Sequence, residues 1–161
     1  MQAIRPVRRR GSAAVELALT LPLIIAMLSG LWEVGRVIEV QGVMANAARE
    51  AARQAATGQY TNAQVQQIAL NYMKAGLNDT TGTMTANLGV TVVDLNSPGI
   101  DATAATSLDP IQVTLTVPFK DVRWIKMPLV TTDATVLTSQ MTWTCLLDIA
   151  YPTTTPQPPT G

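Results

Sequence analysis

The residues with the clearest chemical potential are Gly11, Ser12 and Glu16. Glu16 is the only ionisable side chain among the 21 residues from Ser12 to Trp32. A carboxylate inside an apolar helix of this length costs on the order of 3 kcal/mol to insert into a membrane, so its position suggests a use. Cleavage after Gly11 would create an α-amino group on Ser12, one helical turn before Glu16. Such an amine could pair with the carboxylate of a neighbouring helix staggered by one turn, where the low dielectric strengthens the attraction.

The apolar run that carries Glu16 follows a basic stretch, RPVRRRG, at residues 5–11. A helix of 21 residues spans roughly 30 Å, the thickness of the hydrocarbon layer. Four arginines precede the run, and the positive-inside rule therefore places the N-terminus in the cytoplasm and the rest of the chain outside. We predict a membrane-spanning helix segment over residues 12–32.

Two other kinds of N-terminal segment share this layout. A secretory signal peptide needs a small-x-small cleavage site soon after the apolar run. The nearest A-x-A, at residues 45–47, lies beyond the charged residues Glu33 and Arg36. An uncleaved membrane anchor explains the basic stretch and the apolar run, but not Gly11 and Glu16 together. The residues alone leave both alternatives open.

The sequence RGSAAVELALTLPLIIAMLSGLWEVGR at residues 10–36, with NAAREAAR at 46–53, resembles the TadE-like minor pilins, or pseudopilins, of the Tad/Flp type IV pilus assembly system. The likeness covers about residues 9–56. It implies that a prepilin peptidase cuts between Gly11 and Ser12, that Glu16 is the carboxylate used in subunit assembly, and that Pro22 matches a proline common in the middle of these helices. Because Pro22 has no N–H for the Ala18 carbonyl, we expect it to kink the helix. Leu17 follows the glutamate, whereas Flp major pilins usually have tyrosine there, which favours a minor subunit.

The resemblance also implies partners and a location. The partners would be the prepilin peptidase, the Flp major pilin, other TadE/TadF-like minor pilins and the inner-membrane assembly platform. The protein would cross the inner membrane once, with a periplasmic C-terminal domain, and would reach the extracellular pilus if assembled into it. Glu33 and Arg36, at the membrane edge, are candidates for inter-subunit contacts. The alternative function is an uncleaved, single-span periplasmic scaffold or sensor module.

The rest of the sequence predicts an α+β fold with a long N-terminal helix, a short second helix and a small antiparallel sheet of about three strands, which also resembles the pilin build. Alanine-rich residues carry the first helix over 12–56, with Gly58 as its C-terminal cap. A second helix begins at Thr61, which forms a capping box with Gln64. This helix is predicted to end at residues 76–78. The three predicted strands are residues 83–94, with a possible break at Gly89, then 111–119 and 134–145.

These boundaries divide the chain into five segments. They are a class III leader peptide at 1–11, the transmembrane helix segment at 12–32, a periplasmic continuation of the helix at 33–58, a small α+β domain at 59–149 and a disordered Pro/Thr-rich tail at 150–161.

Composition points away from catalysis. The chain has no histidine, which excludes serine–histidine and cysteine–histidine nucleophilic sites and most zinc sites. It also has no glycine-rich phosphate loop. Without the leader's four arginines, the side-chain charge is 7 − 11 = −4, and no basic face suggests nucleic-acid binding. We therefore predict no enzymatic activity, no cofactor, no metal site and no nucleic-acid partner.

Three further features of the outer domain are ambiguous in sequence. Cys145, the only cysteine, is predicted to be a buried small hydrophobe, with an intermolecular disulfide as the alternative. Asp94, Asp101 and Asp109 are conceivable ligands of a calcium site, but their spacing matches no compact ligand loop. The apolar residues of the segment 120–130 either pack back on the sheet, which we favour, or contact a partner.

Overall fold

The computed structural model describes residues 10–124 and 131–146. Its elements are the helices α1 (Arg10–Ala55), α2 (Asn62–Gly76) and α3 (Phe119–Val122), the strands β1 (Gly89–Asp94), β2 (Pro110–Pro118) and β3 (Val136–Thr144), and a 3₁₀ turn at Ala102–Ala104. The strands form one antiparallel sheet in the order β1-β2-β3. The predicted α+β fold is confirmed.

Helix α1 has two environments. It is 46 residues long, roughly 69 Å at the standard rise. No described side chain between Gly11 and Trp32 is buried, and the first buried residue is Glu33. Beyond that point, buried and exposed residues alternate with helical spacing, because one face of the helix packs against the domain. Gly58, just past the helix, has φ 66°, the left-handed conformation expected of a C-terminal cap.

The hydrophobic core lies between the upper half of α1 and the sheet. Along β2, apolar and polar residues alternate, and the apolar ones are fully buried. They face alanines of α1, whose small side chains allow close approach of the helix to the sheet. These residues are Ile111, Val113, Leu115 and Val117 on β2, and Ala47, Ala48, Ala51, Ala52 and Ala55 on α1.

Strand β3 runs in the same direction as α1. At one end, the backbone N–H of Thr131 lies 3.1 Å from a carboxylate oxygen of Glu33. At the other end, the N–H of Leu146 donates to the carbonyl of Ala56 at 2.8 Å. The sheet therefore extends along α1 from the first buried turn to the C-terminal end of the helix.

Helix α2 begins as its sequence predicted. The Thr61 side chain accepts from the N–H of Gln64, and the Gln64 side chain accepts from the N–H of Thr61 at 2.9 Å. Its buried face consists of Val65, Ala69 and Met73, which join the same core. Where α2 ends, a Cβ added to Gly76 would lie 2.5 Å from Val43 of α1, so the absence of a side chain permits this close crossing.

The first strand is shorter than predicted. The segment 83–94 was expected to be extended, but β1 starts at Gly89 and residues 84–87 form turns. The carboxylate of Asp79 accepts both the N–H and the hydroxyl of Thr85 at 2.9 Å, which removes that N–H from any strand ladder. Similarly, Phe119, predicted as the end of a strand, is the first residue of α3. Leader residues 1–9, the segment 125–130 and the tail at 150–161 lie outside the described residues.

Candidate functional site

The N-terminal half of α1 carries the predicted processing and assembly residues on one continuous helix. Gly11 and the backbone of Ser12 lie in its first turn, because α1 begins at Arg10. Glu16 follows Ser12 by four residues, a rise of about 6 Å, which is one helical turn. The Glu16 side chain is exposed and, within residues 10–124 and 131–146, has no ion-pair partner. Its carboxylate is therefore open to a cation from another helix.

The surface around Glu16 is apolar on every side of the helix. Large hydrophobic side chains are exposed at consecutive turns. They include Val15, Leu17, Leu19, Leu23, Ile24, Met27, Leu28 and Leu31. Among the described helices, α1 is long and apolar enough to cross a membrane. A surface of this kind is stable in lipid or against other apolar helices, and not in water.

Pro22 lies within this exposed half, and the helix continues through it. Proline has no N–H to donate to the carbonyl four residues earlier, which weakens the helix locally. Two residues before it, the Thr20 hydroxyl donates to the carbonyls of Glu16 at 3.0 Å and Leu17 at 3.2 Å. A bend at Pro22 stays a prediction.

Arg36 joins α1 to the domain. Its side chain is 4% exposed. The guanidinium donates from Nε to the carbonyl of Val122 at 2.8 Å and pairs with Glu39 at 2.8 Å. It also lies 5.0 Å from the ring centre of Trp124, and Nη2 is 3.7 Å from the sulfur of Met84. One side chain thus contacts α1, α3 and two loops of the domain.

Glu33, one turn earlier, also joins α1 to the domain. The carboxylate is buried, and it accepts hydrogen bonds from the N–H and the hydroxyl of Thr131. Glu33 and Arg36 were predicted to lie at the membrane edge, and in the structure both are buried because the chain folds back over them. Contacts of these residues with another subunit stay a prediction. We call Trp32, Glu33, Arg36, Trp124 and Thr131 the junction.

The aspartates of the outer loops serve the chain's own backbone. Asp101 accepts the N–H of Asn62 at 3.0 Å, and Asn62 in turn accepts the N–H of Ala102 at 3.0 Å. The backbone N–H groups of Asn62 and Thr103, followed by the Thr103 hydroxyl, hold the pKa of Asp101 below its usual value. Asp109 has a lowered pKa for the same kind of reason, led by the hydroxyl of Thr106 and the amide of Asn96.

The carboxylates considered for calcium are thus engaged in turns, although one oxygen of Asp94 is buried without a hydrogen-bond partner among the described atoms. Among the residues that the structure describes, no three acidic, histidine or cysteine side chains come together as a metal site.

Cys145 is fully buried and free, as the sequence predicted for a small hydrophobe. Its N–H donates to the carbonyl of Asp109 at 2.7 Å, which ties the end of β3 to the loop before β2. A thiol in this position is inaccessible to a partner's cysteine while the domain is folded.

Sequence reasoning missed the role of Trp124. The residue was grouped with the segment 120–130, which was favoured to pack on the sheet. Instead, its ring centroid lies 6.1 Å from that of Trp32 on α1, at an interplanar angle of 51°. The available signal was weak: a tryptophan next to a charged residue, with nothing local to indicate which part of α1 it would reach.

Comparison with known proteins gives one family. The family model described as "TadE-like protein" matches residues 11–53, a segment that contains all the predicted site residues, from Gly11 to Arg36. The match confirms the resemblance and supports a TadE-like protein of the Tad pilus system. It ends within α1, before α2 and the sheet. No curated protein and no solved structure matches the chain.

Proposed function

We propose that this protein is a minor pilin, or pseudopilin, that takes part in assembly of a Tad/Flp-type adhesive pilus. A prepilin peptidase removes residues 1–11, and the mature subunit assembles through the exposed half of α1. The protein acts as a structural component and not as an enzyme. The observation that carries the proposal is an apolar helix of membrane-spanning length, extending beyond its own domain, with one exposed carboxylate a single turn from Ser12.

The proposed role of Glu16 is to pair with the terminal amine of a neighbouring subunit. Two unit charges 4 Å apart attract by about 4 kcal/mol at an effective dielectric constant of about 20. In lipid, where an unpaired carboxylate is costly, such a pair favours one stagger of adjacent helices over others. Contacts between the apolar side chains of the helices supply the non-specific part of the attraction.

The partners follow from this role and from the family resemblance. They are the prepilin peptidase, the Flp major pilin, other TadE/TadF-like minor pilins and the inner-membrane assembly platform. Before assembly the protein crosses the inner membrane once, with residues 1–11 in the cytoplasm and the domain in the periplasm. After assembly it belongs to the extracellular pilus.

The experiment separates cleavage from assembly. Intact mass of the protein purified from its native host is expected to show loss of residues 1–11, and Gly11→Ala is expected to retain them. Glu16→Ala is expected to insert and to be cleaved, yet to fail in pilus assembly. Glu50→Ala is the matched control, since it makes the same chemical change on the same helix within the folded domain.

Two outcomes would refute the proposal. Normal pilus formation by the Glu16→Ala strain would remove the assembly role of the carboxylate. A native protein that retains residue 1 has no amine at Ser12, and would instead support the uncleaved periplasmic scaffold or sensor module.

A further inference from the structure

Two indole rings form a pair on the outer surface of the junction. Trp32 is the last residue of the exposed, apolar half of α1, and Trp124 reaches it from the loop after α3. Trp32 is 56% exposed and Trp124 is 60% exposed, so neither ring belongs to the hydrophobic core. The domain thus presents the large apolar side chain of Trp124 beside the point where the exposed half of α1 ends.

Arg36 fixes the position of Trp124. The guanidinium lies 5.0 Å from the ring centre, and the same side chain donates to the carbonyl of Val122, two residues before the tryptophan. Because Arg36 is itself buried, it is rigidly placed, and it holds the indole outward instead of covering it. An indole that is fixed in place and left exposed is available to an external surface.

The depth of the two rings in a bilayer is coupled. Their centroids are 6.1 Å apart, so their depths differ by no more than this distance at any tilt of α1. The headgroup region on each side of the hydrocarbon layer is roughly 5–7 Å thick. If residues 12–32 span the hydrocarbon, Trp32 lies at its outer boundary and Trp124 must lie at or beside the headgroups. Tryptophan is enriched at this level of a membrane because its ring is apolar while its N–H can remain hydrated.

We propose that Trp124 inserts into the lipid headgroup region, so that the domain rests on the outer face of the bilayer in one orientation instead of swinging freely above it. The inference rests on the proposed membrane span of α1. A lipid surface is the occupant that fits, because the tryptophan pair continues the exposed apolar surface of the spanning segment without interruption. The second contact, added to the helix, restricts the rotation of the domain about the point where α1 leaves the membrane.

The experiment places each tryptophan separately in lipid. Three full-length variants each keep one indole: Trp32 in Trp124→Phe/Trp143→Phe, Trp124 in Trp32→Phe/Trp143→Phe, and Trp143 in Trp32→Phe/Trp124→Phe. Each variant is reconstituted into phosphatidylcholine vesicles whose acyl chains are brominated near the headgroup or near the bilayer centre. Bromine quenches an indole only at short range, so loss of emission reports depth.

Trp143 is the internal control. It lies on β3, three residues before Leu146, which hydrogen-bonds to Ala56 at the far end of α1. The axis of α1 from Trp32 to Ala55 measures roughly 35 Å at the standard rise, so Trp143 stands well above the membrane.

We expect Trp124 to lose emission to the same extent as Trp32, more strongly with bromine near the headgroup than near the centre, while Trp143 is unaffected. Quenching of Trp32 without Trp124 would overturn the inference and leave the membrane span intact. Absence of quenching for both would overturn the span as well. Quenching of all three would show that the domain does not stand in the proposed orientation. If Trp124 is unquenched by lipid but becomes shielded from acrylamide as the protein-to-lipid ratio rises, its partner is a second copy of the chain.

Discussion

The burial of Arg36 gives a sharp test of the fold, because α1 contains a second arginine with the same local pairing. Arg36 pairs with Glu39 and Arg53 pairs with Glu50, in both cases across one turn at i,i+3 spacing. Seen from the sequence, the two pairs are equivalent surface pairs of small energetic value. In the structure, the Arg36 side chain is 4% exposed and that of Arg53 is 52% exposed.

The perturbation is Arg36→Met, which keeps most of the aliphatic length and removes every donor. The carbonyl of Val122 is left buried without its 2.8 Å bond, at a cost of about 1–3 kcal/mol. Loss of the cation–π contact with the partly exposed ring of Trp124 adds about 0.5–1 kcal/mol. Removing a buried charge recovers part of this cost, and Glu39, half exposed, remains hydrated. We expect the free energy of unfolding of the domain to fall by about 2 kcal/mol.

The assay is urea unfolding of the full-length protein in detergent micelles, followed by total tryptophan emission. Arg53→Met is the control and removes two hydrogen bonds to Glu50, of 3.0 and 2.6 Å, that water can replace. We expect a clear loss in the free energy of unfolding for Arg36→Met and a much smaller loss for Arg53→Met. Equal losses would refute the assignment of Arg36 as the residue that fixes the domain on α1.

Two further predictions concern packing and acid stability. Gly76→Ala is expected to destabilise the domain, because overpacking against Val43 costs about 1–3 kcal/mol and outweighs a gain of up to about 1 kcal/mol in helix propensity. Gly42→Ala, on an open face of α1, is expected to stabilise it, and thermal unfolding that ranks the two alike would contradict this view. Asp101 has its pKa lowered below 3.8 by folding, so its contribution is complete above that value and is lost as the pH falls through the lower, folded pKa. Asp101→Asn should therefore weaken the acid dependence of the urea midpoint, and an unchanged pH profile would show that these bonds contribute nothing.

The elements that the sequence identified well are those whose information is local. Helix α2 was predicted from Thr61 and Gln64, three residues apart, and the structure contains both hydrogen bonds of that capping box. The buried face of β2 followed from strict alternation between apolar and polar residues. The burial of Cys145 followed from its place in a similar stretch. In each case neighbours along the chain set the outcome, so the pattern was sufficient.

The misjudged elements depend on distant partners. Residues 83–88 have the composition of a strand, but they have no place in the sheet because β1 is paired with β2 only from Gly89 onward, opposite Thr116. Asp79 instead holds this stretch in turns. Strand propensity reflects the surface against which a residue packs, and that surface was not visible in the sequence.

The candidate site likewise has one part set by local sequence and another set by distant contacts. Residue types within one turn of helix were enough to place Gly11, Ser12 and Glu16 on a shared apolar helix, and the family match at residues 11–53 falls on that local pattern. Processing and assembly through these residues stay predictions.

The contacts of the junction could not be predicted from local sequence patterns. Arg36 donates to a carbonyl 86 positions along the chain, and Glu33 accepts from a residue 98 positions along. Short-range spacing fixes which face of a helix is apolar and where the helix stops. Whether a charge on that helix faces water or is covered depends on how the sheet folds back across it, and so does the placing of Trp124 beside Trp32. That arrangement arises from the packing of the whole core, which no single stretch of residues determines.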